Sequence, residues 1–303
     1  MGKILVVGSL AYDSVKTPLG FAERALGGSA NYFGVAASMF APVRVVGVVG
    51  EDYSDSDTQM LVDKGVDISG IERVKGKTFH WEGVYSGDMN EAKTIKTDLN
   101  VFEHFHPKLP ANFQDTEYVF LANIDPVLQA EVLNQVKKPR VVAADTMNFW
   151  INSKLPDLKK IIKNLDILII NEGEAKLLTG AGNGVAAAAR IADMGPKTVV
   201  IKRGEYGFML YVGGHYFALP AFPVPEVVDP TGAGDTFAGG FMGYLAKFDL
   251  GADLEAVKMA AVYGTLLASF TVQDFSLGAL KNLTLTQVEQ RHLQFRQVVS
   301  IDA

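Results

Sequence analysis

Asp229-Pro230-Thr231-Gly232-Ala233-Gly234-Asp235-Thr236-Phe237 is the stretch whose residue types and spacing are best suited to chemistry. An apolar approach, Val227-Val228, meets Asp-Pro, and the proline bars Asp229 from helix. Gly-Ala-Gly then permits tight turns and close approach of a ligand to the backbone. A helix is expected from about Gly234, with Phe237, Phe241, Tyr244 and Leu245 on one face. Its first amides would point at whatever sits above the glycines, and such a nest favours an anion, most often phosphate. Asp235 falls in the same first turn. A carboxylate is a poor choice for simple phosphate binding, but it suits a hydroxyl poised in line with that phosphate, whose proton it could accept. The helix N-terminus should lower the pKa of Asp235 and leave it a weak base. That suffices for phosphoryl transfer, which needs orientation more than strong deprotonation. On residue type alone Asp235 would simply cap a helix after a turn, and only the full run of residues outweighs that reading.

The elements that must position this loop are legible as period and composition. Unbroken apolar runs at Lys3–Gly8, Val43–Val49, Tyr118–Ala122, Val141–Ala144, Ile167–Ile170 and Thr198–Ile201 predict parallel strands buried on both faces. Helical patterns lie between them at Ser29–Met39, Asp55–Lys64, Pro126–Val136, Asp157–Lys163, Glu172–Leu178 and Val185–Met194. The alternation predicts an α/β fold with a doubly wound, mostly parallel sheet flanked by helices. Asp13, Asn123, Asp145, Asn171 and Lys202 each follow an apolar run, so all should fall on the carboxyl edge of that sheet, where open α/β sheets bind ligands.

Two stretches break the rhythm. Tyr12 to Arg24 carries polar and turn residues, and Lys75 to Phe105 holds β-rich pieces, Thr78–Tyr85 and Thr94–Val101, around a Gly87–Asp88 turn signal. Strands with no crossover helix predict a small lid outside the main sheet, with 75–105 as its main segment and 12–24 contributing to it, inside one domain spanning 1–303. Phe79, Trp81 and Tyr85 share one face of a lid strand, where they either pack or offer rings for stacking. Phe208–Val212 and His215–Leu219 flank Gly213–Gly214 as a hairpin, and the C-terminal third is mostly helical.

The glycine loop, taken with three other motifs in order, resembles the ribokinase-like (PfkB) carbohydrate kinases, which include sugar and nucleoside kinases. Gly27-Gly28-Ser29-Ala30-Asn31 opening a helix resembles the N-terminal signature of that family, and Gly8-Ser9…Asp13 its sugar-binding start. Asn171-Glu172-Gly173-Glu174 resembles its Asn-x-x-Glu magnesium motif. The resemblance spans about residues 4 to 280. It implies Asp235 as catalytic base and Gly232, Ala233 and Gly234 as the anion hole. It implies Asn171 and Glu174 as the residues that order Mg2+ around the phosphates of ATP, with room for a monovalent cation. Asp13, Gly28 and Asn31, with Asn123, would hold the acceptor. Lys202, Arg203, Gly204, Asp229 and Thr231 would border the nucleotide. Two departures stand out: Ala11 replaces the Asn that ribokinases carry two residues before the sugar-binding Asp, and Lys202-Arg203-Gly204 replaces a common Thr-x-Gly.

Bulk properties narrow the remaining classes. At 303 residues the chain can bury roughly 75% of its unfolded surface. A net charge of −6 without a long basic run argues against nucleic-acid or anionic-membrane partners. The apolar stretch Met259–Val272 is too short to span a bilayer and predicts a buried helix. The absence of cysteine and of a signal-peptide pattern leads to the expectation of a cytoplasmic enzyme. Gly76-Lys77-Thr78 fails as a Walker loop because Ile71 stands where its first glycine is required, and no dinucleotide fingerprint follows Gly8. The five histidines lack metal-ligand spacing. The expected function is therefore ATP-dependent phosphorylation of a hydroxymethyl group, with a nucleoside favoured as acceptor. A free sugar or sugar phosphate is the alternative within the family, and a non-catalytic nucleotide or sugar sensor the alternative outside it. The lid also offers a face through which two copies could pair.

Overall fold

The computed structural model describes residues 1–87 and 89–300; Asp88, half of the expected lid turn, lies outside the described residues. The first half of the chain runs β1 (Ile4–Val7), β2 (Ala11–Thr17), β3 (Gly20–Gly27), α1 (Ser29–Ser38), β4 (Val43–Val49), α2 (Asp55–Asp63), β5 (Val66–Arg73), β6 (Phe79–Tyr85), β7 (Ala92–Asp98), β8 (Tyr118–Leu121) and α3 (Pro126–Leu133). It continues through β9 (Val141–Ala144), α4 (Asn148–Ser153), α5 (Leu155–Ile162), β10 (Ile167–Asn171), α6 (Glu172–Thr179), α7 (Gly184–Ala192) and β11 (Thr198–Lys202). Last come β12 (Phe208–Val212), β13 (His215–Leu219), α8 (Ala233–Lys247), α9 (Leu254–Thr271), α10 (Gly278–Lys281) and α11 (Leu285–Val299).

The main sheet has the order β13-β12-β11-β10-β9-β8-β1-β4-β5. Every pairing from β11 to β5 is parallel, and β12 and β13 are added antiparallel at one edge. The chain steps outward from β1 through β4 and β5, returns to place β8 on the other side of β1, and then steps the opposite way. That reversal opens a crevice at the carboxyl ends of β1 and β8. Period-two alternation divides the core: Ile4, Val6, Phe120, Ala143 and Ile169 face α1, α8, α9 and α11, whereas Leu5, Val7, Leu121, Ala144 and Ile170 face α3 to α7.

The second sheet, β3-β2-β6-β7, stands off the first as a lid. The polar stretch after β1 is a hairpin, β2–β3, and β2 pairs in parallel with β6 across all the intervening elements. The expected strand Thr94–Val101 ends at Asp98, where the chain turns into a 3₁₀ segment, Asn100–His104. Strand β5 was not foreseen: as an edge strand with only Val66 and Gly70 buried, it carries charged residues that hide its apolar pattern. Among the described residues no helix is long and apolar enough to cross a membrane.

Candidate active site

The crevice is floored by a turn that joins β1, β2 and α1. Gly28, at φ +91°, precedes α1, and a Cβ there would lie 2.6 Å from the Ser9 carbonyl and 2.7 Å from the Ala11 nitrogen. The serines staple the turn: Ser9 N–H donates to Ser29 Oγ and Ser29 N–H to Ser9 Oγ, each at 3.1 Å. The Asp13 carboxylate lies against Gly27, where a Cβ would sit 1.9 Å from Oδ2. Burial pushes the Asp13 carboxyl up to about 7, against the Gly28 amide, with Asp229 and Asp235 adding repulsion. Asn31 stands behind the turn. It is fully buried, its Nδ2 donates to the Gly27 carbonyl at 2.6 Å, and its Oδ1 accepts from the Tyr53 hydroxyl at 3.2 Å.

The glycine loop closes the crevice from the other side. Asp229 is buried and serves as its staple: Oδ1 accepts from Thr231 N–H at 2.9 Å, and Oδ2 accepts from Ser276 N–H at 3.4 Å. Val228 N–H bonds the Val272 carbonyl at the end of α9. Gly232, at φ +75°, is the N-cap of α8 and lies on the face of the Tyr32 ring, so that a Cβ there would sit 2.4 Å from three ring carbons. The Thr231 hydroxyl donates to the Tyr85 hydroxyl of the lid at 3.4 Å.

Asp235 occupies the first turn of α8; beside it the Ala233 N–H donates to the Pro230 carbonyl at 3.2 Å, and the Gly234 amide is one of the first-turn donors that the helix itself does not satisfy. The Lys202 ammonium reaches over the loop, 2.8 Å from where a Cβ on Gly234 would be. The lowered pKa expected for Asp235 is not found. Burial raises it to about 6, and Lys202 and the backbone amide only partly offset that. Desolvation outweighs the helix terminus because the carboxyl is enclosed between α8, β11 and the crevice floor. Asp145, at the end of β9, belongs to the same group. Burial raises its pKa well above the carboxylate range, with Asp235 and Glu174 adding to the rise and Lys202 opposing it. Its Oδ1 is buried and has no hydrogen-bond partner among the described residues.

Asn171 and Glu174 form a reciprocal capping box on α6: Glu174 N–H donates to Asn171 Oδ1 at 2.7 Å, and Asn171 N–H donates to Glu174 Oε2 at 3.0 Å. Burial raises the Glu174 pKa, with Lys202 opposing. Among the described residues no set of three acidic, His or Cys side chains is grouped to hold an ion by itself. The remaining Glu174 oxygen and Asp145 Oδ1 are hard oxygen donors, which suits Mg2+ that keeps waters and phosphate oxygens in its shell. Arg203 turns towards Glu172 (3.6 Å), and Gly204, at φ +56°, has Asn90 of the lid tip against it. Asn123 is engaged with α4, accepting from Trp150 Nε1 at 3.0 Å.

Phe79 and Trp81, two apart on β6, share one lid face but do different work. Asp13 and Trp81 are register partners on parallel strands, so both point to the crevice side. The Trp81 indole lies flat over Gly83, where a Cβ would meet it at 2.1 Å, and Nε1 donates to Thr94 Oγ1. Phe79 instead stacks on Phe102 with centroids 5.5 Å apart and packs the base of the lid. Sequence reasoning passed over Tyr32 and gave Asp145 only a place on the rim. For Tyr32 no local signal exists, because its partner Gly232 is remote in sequence.

With this geometry in place, known proteins can be set beside it. The family model for pfkB family carbohydrate kinases matches residues 1–283. The cytidine kinase of Thermococcus kodakarensis is 32% identical over 257 residues, which cover 83% of this chain and 90% of that protein. The crystal structure of the Methanocaldococcus jannaschii nucleoside kinase, an archaeal member of the ribokinase family, superposes with a TM-score of 0.76 at 22% identity, covering 97% of this chain and 99% of that one. Ribokinase from Giardia lamblia superposes with a TM-score of 0.80 at 18% identity, covering 97% and 99%. The fold is ribokinase-like.

Proposed function

Because the chain belongs to the pfkB family of carbohydrate kinases, we propose that it transfers the terminal phosphoryl group of ATP to the hydroxymethyl group of a nucleoside, with Asp235 as base. The observation that carries the reaction is the meeting of Asp235, the Lys202 ammonium and the amides of Gly232 and Gly234 at the start of α8, with Ala233 between them. An acceptor hydroxyl held between Asp13 and Asp235 gives its proton to the Asp235 carboxylate as its oxygen bonds to phosphorus. The bond from phosphorus to the ADP oxygen breaks on the opposite side. The loop amides and Lys202 hold the charge that spreads over the transferring oxygens. A carboxyl at about 6 is ionised at neutral pH, yet it is a better proton acceptor than an unperturbed aspartate. Asn171 and Glu174, with Asp145 nearby, would hold Mg2+ through waters, and the ion when bound supplies neutralisation of the ATP phosphates. Asn31, Asp229 and Asn123 act behind the reacting groups, bracing the turn, the loop and α4.

The nucleoside reading rests on the Trp81 ring, flat over Gly83 on the same lid face as Asp13, and on Ala11, which offers a sugar no hydrogen bond where ribokinases use Asn. The names of the Thermococcus and Methanocaldococcus relatives support it. Stacking a base on such a ring is worth ~1–3 kcal/mol. The test compares kcat/KM for cytidine, adenosine, inosine, ribose and fructose 6-phosphate. A nucleoside should lead. A free sugar or sugar phosphate ahead by about tenfold, or ~1.4 kcal/mol of transition-state preference, would sink the reading.

A further inference from the structure

Thr231 and Gly232, which open the anion loop, are each held by a tyrosine that the reaction itself does not require. Tyr32 lies beneath: its side chain is almost wholly buried on α1, one turn after Gly28, and the flat of its ring is the surface on which Gly232 rests. Tyr85 comes from above, as the last residue of lid strand β6, with its hydroxyl on that of Thr231. Both hydroxyls face the same acids, Asp13, Asp229 and Asp235. The lid and the crevice floor therefore meet across two residues of one loop, immediately before the amides that would receive the phosphoryl group.

We propose that Tyr32 and Tyr85 are positioning residues for phosphoryl transfer, a clamp that sets the height and lateral placement of the anion loop when the lid is down. The inference rests on the kinase reading of the site. Preorganised donors stabilise a transferring group only while aimed at it, and a misplacement of about 1 Å can lower a rate about a hundredfold. A planar ring under an amide-rich loop fixes one coordinate. A hydroxyl contact from the lid fixes a second and links it to closure over the acceptor. A tyrosine that merely filled the core would be replaceable by any apolar side chain of similar volume.

Steady-state kinetics with saturating acceptor tests this. Tyr32→Leu should lower kcat about 30-fold while KM for ATP moves less than about threefold, and Tyr32→Phe, which keeps the ring, should rescue most of the loss. Circular dichroism and Tm should show both variants folded. Tyr85→Phe and Thr231→Val should each lower kcat about fivefold, and the double variant should be no slower than the slower single one, because both remove the same contact. If Tyr32→Leu does not fold, this pair, which leaves the core untouched, decides the matter. Additive losses in the double variant, or a Tyr32→Leu that changes KM alone, overturn the clamp in an active enzyme. A wild-type protein that turns over no acceptor overturns the kinase reading and the clamp together.

Discussion

Gly232→Ala isolates the loop from every ionisable group in the site. The Cβ it introduces would lie 2.4 Å from three carbons of the Tyr32 ring, at least about 1 Å short of the ~3.5 Å at which two carbons ordinarily touch. Tyr32 has no room to yield, because its ring is 1% exposed and packed in the core, so the loop must rise instead. A further ~1–2 kcal/mol opposes the variant because Gly232 adopts φ +75°, a left-handed conformation that a side chain disfavours. The expected result is a loss of at least ~2 kcal/mol in stability by urea titration, with a fall in kcat of about a hundredfold, the effect of a 1 Å displacement of aligned donors. ATP binding should weaken far less than kcat falls, since most of the nucleotide is held elsewhere. Tm, isothermal titration with ADP and single-turnover rates would separate the three quantities. A kcat within about threefold of wild type in a destabilised but folded variant would refute the idea that Gly232 sets the height of the anion loop.

Three further outcomes follow from the carboxylates. With Asp235 held up at about 6, log kcat/KM should rise with pH to a plateau above that value, and Lys202→Met should move the limb to higher pH because it removes the charge that opposes burial; Asp235→Asn should lose at least about two orders of magnitude in kcat with ATP binding retained, and a near-normal kcat would exclude it as base. Glu174→Gln should raise the Mg2+ concentration needed for half-maximal rate, and an unchanged Mg2+ dependence would remove Glu174 from the ion's surroundings. Asp13, buried and held at about 7, keeps in the folded state a proton that the unfolded chain gives up near ~3.9, so its support for the fold is complete in acid and lost as pH rises towards 7. Asp13→Asn should therefore raise Tm more at pH 8 than at pH 5 while lowering activity, and an equal shift at both pH values would contradict the burial argument.

The parallel strands were legible because they are buried on both faces, which leaves unbroken runs such as Ile167–Ile170. Strands rich in polar or charged side chains were harder to read. β2 reads Ala-Tyr-Asp-Ser-Val-Lys-Thr, buried except at Lys16 but largely polar, and β5 carries Asp67, Glu72 and Arg73, so apolar pattern alone misses them. The glycine loop was legible as a run of residue types, and so was the position of Asp235. Its pKa was not, because a helix terminus is visible in a sequence whereas burial in the folded crevice is not. In the same way, sequence places Asn31 and Asp229 at the crevice without saying that their polar atoms are spent on Gly27, Tyr53, Thr231 and Ser276. Tyr32 could be found only once Gly232 lay against it.

The lid sheet and the crevice floor come from the first third of the chain, whereas α8, α9 and α11, which with α1 cover one face of the main sheet, come from the last. During synthesis Asp13 leaves the ribosome about 220 residues before Asp235, an interval of roughly 10–40 s at ~5–20 residues per second. As they emerge, Ile4, Val6, Phe120 and Ile169 have only α1 to cover that face, because Ala238, Phe241, Leu266 and Leu267 do not yet exist. The nascent chain therefore carries incompletely covered apolar surface for much of its time on the ribosome. A stop just before α8 should leave the sheet with one apolar face largely uncovered, a fragment prone to aggregate.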